Sequence, residues 1–281
     1  MHSTEAFIAL VFLASVGAGL LGALVGLGGG ILIVPLLSIG FGLDIRLAIG
    51  ASIVSVIATS SGAAAAYVRD HLTNVRVAML LELATTFGAV TGALVAAYFN
   101  ARLLFVLFGL ILLFSIVPMV KKLGEELPSR VSNDAIATRL RLASSYPDRR
   151  LGGAVAYQVT HVPLGFGMMY VAGVVSGLLG IGSGALKVLA MDTAMRLPLK
   201  VSSATSNFMI GVTAAASAGI YFWRGDIVPL VAAPVALGVL VGATTGAKLL
   251  VRFRSATIRK IFIVVLAGVS IEMLLRGAGV A

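Results

Sequence analysis

The stretch AGLLGALVGLGGG, residues 18–30, decides how this chain folds, because it returns as AGVVSGLLGIGSG at residues 172–184. The two stretches align without a gap at an offset of 154 residues. A second pair keeps the same offset, since GAVTGA at residues 88–93 matches GATTGA at residues 242–247. Two matches at one offset of about half the chain length indicate a duplicated unit.

The apolar composition indicates that lipid is the solvent of this chain. It has 281 residues, of which 59% are hydrophobic and 11% charged, and its mean hydropathy is +1.07. Several uncharged runs reach the length of about 20 residues that a membrane helix needs. The basic residues behind the net charge of +10 lie between these runs, as topology signals do, so we predict no nucleic-acid partner. The predicted fold class is an all-α polytopic membrane protein.

The first uncharged run is too long for one membrane-spanning helix. Residues 6–43 would make a helix of about 57 Å, whereas the hydrocarbon core is about 30 Å thick. The glycines at residues 26–30 offer the turning point, so we predict a hairpin with its tip inside the protein. Non-helical backbone is tolerated at that depth only when it is buried or lines a cavity. The N-terminus lacks the Lys/Arg cluster of a signal peptide, and we expect it to be retained.

The positions of lysine and arginine distinguish two topologies. Residues 121–150 carry seven of them and should be cytoplasmic, because cytoplasmic loops are enriched in these residues. With four crossings in each unit, 11 would face the cytoplasm and 8 the outside. With a hairpin that enters and returns, the numbers become 15 and 4, and the two units run in opposite directions. Lys187 and Lys248 lie within apolar segments and are left out of both counts. We therefore predict two inverted repeats, each a Gly-broken helical hairpin followed by three transmembrane helices.

This topology divides the chain into three parts. Residues 1–120 form the first transmembrane repeat, residues 121–155 a basic cytoplasmic loop, and residues 156–281 the second transmembrane repeat. Both termini are then outside. Transporters with inverted repeats hold their substrate at the repeat interface, near the middle of the membrane.

Signals for catalysis, a metal or a cofactor are absent from the sequence. It contains no cysteine, no HExxH and no GxSxG, and its three histidines lie far apart. Gly17, Gly19 and Gly22 match the nucleotide-binding pattern GxGxxG, but they lie in an apolar run with no strand before them. We predict no enzymatic activity, no metal site and no cofactor.

Two motifs resemble a known family of membrane transporters, GALVGLGGGILIVPLL near the start and GLLGIGSGALKVL in the second half. With the basic central loop and four apolar segments in each half, they are similar to the sulfite exporter TauE/SafE family, also called the toluene-sulfonate uptake permease family. The resemblance covers nearly the whole chain. It implies movement of sulfite, sulfoacetate or sulfonates across the cytoplasmic (inner) membrane and leaves open which of them moves and in which direction. We predict export. The halves differ where Leu189 replaces Pro35 and Ser183 replaces Gly29.

The two glycine clusters are the first candidate binding site. A hairpin tip exposes unpaired backbone N–H groups, and the helix that starts there carries partial positive charge, so both favour an anion. Close packing of helices explains the clusters equally well, because small residues recur there every four positions. The predicted substrate-binding residues at the tips are Gly28, Gly29, Gly30, Gly182, Ser183 and Gly184.

Lys187 is the most specific single candidate. It lies three residues past the second cluster and opposite Ile33 of the first repeat, within an otherwise uncharged run. A lysine at membrane depth costs several kcal/mol unless it is paired or hydrated. We predict that it binds the anion. An ion pair with Asp192, or a side chain that extends to water, are the alternatives.

Glu82 is the candidate for proton coupling. It lies about six residues into an apolar segment, with Ala236 at the matching place in the second half. A carboxyl group withdrawn from water takes up a proton more readily than one in water. The alternative is a position near the membrane surface beside Arg76.

Polar side chains also follow one face of two helices. Ser52, Ser55 and Thr59 are spaced three and four apart, and Ser202, Ser206, Thr213 and Ser217 are spaced four, seven and four apart. Such a stripe suits a hydrated path, although Ser and Thr also bond their own backbone or hold helices together. From these helices we predict Ser52, Thr205 and Asn207 as substrate-binding residues.

The predicted function is a secondary transporter that works by alternating access, with its site between the two hairpin tips. Its predicted partners are a small sulfur-containing anion, the lipid bilayer and a coupling proton. An anion channel on the same scaffold is the first alternative and would conduct ohmic currents. A membrane enzyme or a sulfur-handling accessory subunit is the second, and it would need a catalytic constellation that the sequence does not show.

Overall fold

Long helices make up most of the protein, and a computed structural model describes residues 2–25, 30–69, 71–121, 131–148, 153–250 and 255–280. The helices in these ranges are α1 (His2–Val25), α2 (Gly30–Pro35), α3 (Ile45–Arg69), α4 (Val75–Ala96), α5 (Ala101–Lys121), α6 (Ala135–Arg139), α7 (Val162–Leu179), α8 (Gly184–Leu189), α9 (Leu199–Trp223), α10 (Pro229–Leu250) and α11 (Ser255–Ala278). Helices α2 and α8 continue into π-helical segments at Leu36–Gly40 and Ala190–Ala194.

Four of the described helices are long and apolar enough to cross a membrane. They are the segment Thr4–Gly22 of α1, all of α4 and α7, and the segment Pro229–Gly246 of α10. Large apolar side chains on them remain exposed, such as Leu13, at 63%, and Phe87, at 68%. Lipid accepts such surfaces, whereas water does not. The chain is therefore a mostly helical, multi-pass membrane protein, as the composition predicted.

Helices α7 and α8 and the second π-helical segment form a hairpin that returns to the end where it entered. Gly180, with φ of +67°, turns the chain directly after α7. At the open end, the backbone N–H of Thr160 donates to the carbonyl of Met195 over 3.3 Å, and Gly165 packs on the Met195 side chain. The start of α7 and the end of the returning arm are therefore neighbours. The corresponding turn of the first half, residues 26–29, lies outside the described residues.

The same series of elements occurs twice, 154 residues apart. The bounds of α2, the first π-helical segment, α3 and α4 recur at that offset in α8, the second π-helical segment, α9 and α10. The packing recurs too, since α1 packs on α10 as α7 packs on α4. Gly88 approaches the carbonyl of Tyr170, and Gly242, at the same offset, approaches the carbonyl of Val16.

Helices α3 and α9 pack side by side and run in opposite directions. Gly50, near the start of α3, approaches the carbonyl of Asp226, just beyond the end of α9. Near the other end, the backbone N–H of Asn74, beyond the end of α3, donates to Thr205 Oγ1 in the second turn of α9 over 3.1 Å. One end of the bundle therefore holds the start of α3 and the end of α9, and the opposite end holds the reverse pair.

The segment between α5 and α7 folds onto the end of the bundle that holds the start of α9. Besides α6 it contains two antiparallel strands, β1 (Ser144–Asp148) and β2 (Gly153–Tyr157). Asn74 fastens it there, because its Nδ2 donates to the carbonyl of Leu142 and to the hydroxyl of Tyr157, each over 2.8 Å. Burial raises the pKa of the Tyr157 hydroxyl, which therefore stays protonated. The all-α prediction missed these strands, since five-residue strands form through packing rather than through strong local preference.

Gly177→Ala is expected to weaken the contact between α7 and α4. A Cβ atom at this position would lie 2.0 Å from the carbonyl oxygen of Ala89, too close to be relieved by a side-chain rotation. Overpacking costs about 1–3 kcal/mol, which in a chain of this size lowers Tm by about 2–12 °C. Thermal unfolding of the purified protein in detergent measures this. Gly167→Ala is the matched control on the same helix, because nothing lies within 4 Å of its added Cβ. Equal Tm values for the two variants would contradict the packing.

Candidate functional site

The two hairpins meet at α3. The hydroxyl of Ser52 lies 3.0 Å from the carbonyl oxygen of Gly30 in the first hairpin and 2.8 Å from that of Gly180 in the second. Ser52 is fully buried, so its hydroxyl must find its acceptor inside the protein, and among the described hairpin residues these two carbonyls are within reach. Added Cβ atoms on Gly30 and Gly182 would both reach Val56, near the middle of α3. Gly30, at the start of α2, and the second turn are therefore neighbours halfway along α3.

Ser206 holds the second hairpin as Ser52 holds the first. Its hydroxyl donates to the carbonyl of Gly184 over 3.2 Å, and this pair lies 154 residues after Ser52 and Gly30. The polar stripe of α9 contains Ser206, but we did not predict it as a binding residue. Applying the 154-residue offset to Ser52 would have selected it.

A small cavity with polar groups lies beside the second tip. Its volume is about 10 Å³, close to the room that one water molecule needs, and it is lined by Ile31, Ile111, Ser115, Ile181, Ser183, Gly184, Ala185 and Leu186. Ser183 is 3% exposed and adopts a φ of +44°. Its Oγ has no hydrogen-bond partner among the described residues. Within the described residues, the buried Ser183 hydroxyl therefore keeps its hydrogen-bonding capacity unused beside this cavity.

A larger cavity, of about 380 Å³, lies between α5, α7 and α8. It is lined by apolar side chains, among them Ile111, Phe114 and Leu186. An anion there would lose its hydration without gaining partners. The smaller cavity at the tip is therefore the better candidate position for an anion, although it must widen to admit one.

Lys187 begins a buried polar chain that joins three helices. Its side chain is 0% exposed, and Nζ donates to Thr213 Oγ1 on α9. The Thr213 hydroxyl is placed to donate to Oε1 of Glu82 on α4 over 2.8 Å. Thr86 donates to the same oxygen over 3.2 Å. The second carboxylate oxygen, Oε2, is buried and has no hydrogen-bond partner among the described residues.

These contacts bear on two alternatives, which are extension of the Lys187 side chain to water and a position of Glu82 at the membrane surface beside Arg76. The Lys187 side chain does not reach solvent, because it is fully buried. Glu82 points to Thr213 inside the bundle, while Arg76 is exposed and donates to the carbonyl of Arg141. Thr85 and Thr86 were not among the predicted site residues, although both follow Glu82 at helical spacing on one face of α4.

Two other predicted binding residues lie apart from this group. Thr205 Oγ1 accepts the N–H of Asn74 near the end of the bundle that carries the central segment. Asn207 is half-buried, and its Nδ2 donates to the carbonyl of Ser203 within α9. Gly28 and Gly29 fall outside the described residues. The structure thus brings together Gly30, Gly182, Ser183, Gly184, Ser52 and Lys187 around the tips, with Glu82 behind them.

The family model described as "Sulfite exporter TauE/SafE" matches residues 11–273, nearly the whole chain. The chain belongs to the TauE/SafE family. The resemblance seen in its glycine motifs is thereby confirmed. In this TauE/SafE protein, the matched residues include both halves, both π-helical segments and the complete Lys187–Thr213–Glu82 chain.

Two relatives from Bacillus subtilis (strain 168) extend over most of this TauE/SafE protein. "Probable membrane transporter protein YunE" is 27% identical over 278 residues, which cover 96% of this chain and 98% of the relative. "Probable membrane transporter protein YdhB" is 24% identical over 243 residues, which cover 86% and 88%. No solved structure matches the chain significantly. Family and relatives agree that the protein is a membrane transporter.

Proposed function

We propose that this TauE/SafE protein is a secondary transporter that exports small sulfur-containing anions, such as sulfite, sulfoacetate or sulfonates, across the cytoplasmic membrane. The family description supports the substrate class. The observation that carries the mechanism is the contact of Ser52 with carbonyls of both hairpins. Two tips that meet in the bundle present backbone and hydroxyl groups from both halves to one small anion.

The proposed binding residues are those that gather at the tips. Gly30, Gly182 and Gly184 allow the backbone to come close to an anion, and we include Gly28 and Gly29 by their place in the sequence. Ser52 and Ser183 supply hydroxyl groups, and Lys187 supplies positive charge. Thr205 and Asn207 line the path along α9, and Glu82 is the proton site.

The proposed topology is a pair of inverted repeats, residues 1–120 and 156–281, around a cytoplasmic loop at residues 121–155. The antiparallel course of α3 and α9 and the 154-residue recurrence of the elements support it. So does the charge distribution. Arg76 contacts the central segment at one end, whereas Arg224 pairs with Asp226 over 2.9 Å at the other. Both termini are then outside.

Alternating access follows from this arrangement if one repeat moves against the other around the tips. The cavity at the tip, of about 10 Å³, is too small for an anion in this conformation, which we take as the closed state. Ser52 ties the hairpins together while it is closed. Loss of one of its two carbonyl contacts accompanies opening.

Flux into proteoliposomes tests the proposal. We expect radiolabelled sulfite, sulfoacetate or toluenesulfonate to enter vesicles that hold the protein, with a rate that saturates with concentration and responds to a pH gradient. Vesicles without protein are the control. Ohmic currents in a planar bilayer would favour an anion channel instead. No flux of any of the three anions would overturn the proposed substrate class.

A further inference from the structure

The buried chain of Lys187, Thr213 and Glu82 suggests how transport is coupled, on the basis of the proposed function. We propose that anion binding at the tip and protonation of Glu82 are one event. The anion takes over the positive charge of Lys187, and Glu82, left without its countercharge, takes up a proton. Anion and proton then cross the membrane together.

The two charges lie on helices from different halves of the chain. Lys187 belongs to α8, one turn from the tip, because its backbone N–H donates to the carbonyl of Ser183 over 3.0 Å. Glu82 belongs to α4 of the other half. Thr213 joins them, since it accepts from Nζ and is placed to donate to Oε1. A shift of Lys187 toward an anion beside Ser183 would therefore break its link to Glu82.

The equivalent site, which the 154-residue offset identifies, shows that the fold does not need these charges. At the 154-residue offset, Ile33 stands for Lys187, Ala236 for Glu82 and Val239 for Thr85, while Thr59 keeps the hydroxyl of Thr213. Ile33 and Val239 are fully buried there. Buried ion pairs often stabilise a protein less than apolar residues of similar volume would. The presence of the two charges at only one of the two equivalent sites points to a functional role.

Several titratable groups on the elements around Lys187 and Glu82 contact other partners. Thr213 contacts both groups, since it accepts from Lys187 Nζ and its Oγ1 lies 2.8 Å from Glu82 Oε1. Arg76 on α4 contacts Arg141, Tyr170 on α7 contacts Thr91, and Tyr221 on α9 contacts the carbonyl of Gly177. The remaining titratable or charged groups on or directly beside the neighbouring elements are Arg102, Lys121, His161, Asp192, Arg196 and Lys200.

The exchange is balanced in charge. Before binding, the positive lysine faces the negative carboxylate through Thr213. After binding, the lysine faces the anion, and the carboxyl group is neutral because one proton has joined it. The site gains one negative charge and one proton, so its net charge does not change. The buried Oε2 oxygen, unpartnered within the described residues, can hold that proton.

Joint movement of anion and proton sets the driving force. Export then runs on the anion accumulated inside the cell, and an acidic exterior opposes it. Binding of the two ligands must also be reciprocal, so that a lower pH tightens anion binding as much as the anion promotes protonation.

Isothermal titration of the purified transporter with toluenesulfonate tests the coupling, because this sulfonate does not titrate near neutral pH. Titration in two buffers with different protonation enthalpies counts the protons taken up. We expect uptake of about one proton per bound anion in the wild type. Glu82→Gln should bind toluenesulfonate without proton uptake and with an affinity that no longer changes with pH. Glu272→Gln, a partly exposed glutamate of α11 paired with Arg276, should keep the wild-type proton count.

The outcomes separate this inference from the proposed function. Binding to the wild type without proton uptake, or equal uptake by Glu82→Gln, would overturn the coupling and leave the transporter intact. Lack of binding by toluenesulfonate, sulfoacetate and sulfite alike would overturn the proposed substrate class and the coupling with it. Lys187→Ile with Glu82→Ala copies the residues at the equivalent site, Ile33 and Ala236, so it should fold with a wild-type Tm and bind no anion. Anion binding by this double variant with proton uptake would also contradict the coupling.

Discussion

Lys187→Met is expected to lower anion flux by about 10- to 100-fold. A hydrogen bond to a charged group is worth about 1.5–3 kcal/mol, and each 1.4 kcal/mol corresponds to a factor of ten. Methionine keeps the length and volume of the side chain but removes the charge from the fully buried position beside Thr213. Initial rates of toluenesulfonate uptake by proteoliposomes, normalised to reconstituted protein, measure the effect.

Two controls separate transport from folding for Lys187→Met. Lys200→Met removes a lysine from the exposed start of α9 and should leave flux within about twofold of the wild type, as surface substitutions usually do. Lys187→Met combined with Glu82→Gln removes both buried charges, so the double variant should regain thermal stability without regaining transport. Wild-type flux in Lys187→Met would contradict an anion-binding role for this lysine.

Gly180→Ala and Gly182→Ala are expected to disrupt the second tip and to abolish binding. Their φ angles of +67° and +72° cost an alanine about 1–2 kcal/mol each. The added Cβ would also lie 2.8 Å from Ile49 Cγ2 at position 180 and 2.8 Å from Ile210 Cγ2 at position 182. Overpacking adds about 1–3 kcal/mol. Thermal unfolding and toluenesulfonate titration measure the two consequences.

Gly225→Ala is the matched control for these glycines. Its φ of +78° imposes the same backbone strain, but nothing lies within 4 Å of the added Cβ. It should therefore lose only the conformational contribution to stability and keep anion binding. If Gly225→Ala and Gly180→Ala lost the same stability and both still bound the anion, the tip would tolerate side chains and would not be the binding site.

The architecture was largely predictable from the sequence because it depends on local patterns, namely the apolar runs, the glycines that interrupt them and the repeat. The glycines at residues 180–184 interrupt an apolar run that is too long to span the membrane once, and a break there follows from bilayer thickness alone. The offset of 154 residues in the sequence returns in the bounds of α3 and α9. The strands β1 and β2 were not predictable, because their short segments gain stability by covering the end of the bundle.

The candidate site was predictable only in its charged members. The sequence identifies Lys187 and Glu82 as candidates, because each is an isolated charge in an apolar run and such charges are costly at membrane depth. Thr205 and Asn207 looked equivalent to Ser206 and Thr213 in the same stripe, yet only the latter two reach the hairpin and its lysine. The spacing along a helix gives the face of a side chain but not the neighbour that this face meets.

The sequence by itself determined a duplicated membrane protein of a recognisable family. It also predicted breaks at residues 26–30 and 180–184, of which the structure describes the second. Only the tertiary structure decided that Lys187 and Glu82 are joined through Thr213. The reason is physical. Glu82 and Thr213 are 131 residues apart, so their 2.8 Å contact depends on how α4 and α9 pack against each other. The position of α4 depends in turn on the glycines at its contact with α7. Local preferences determine where each helix begins and ends, whereas the packing of helices determines which side chains form the site.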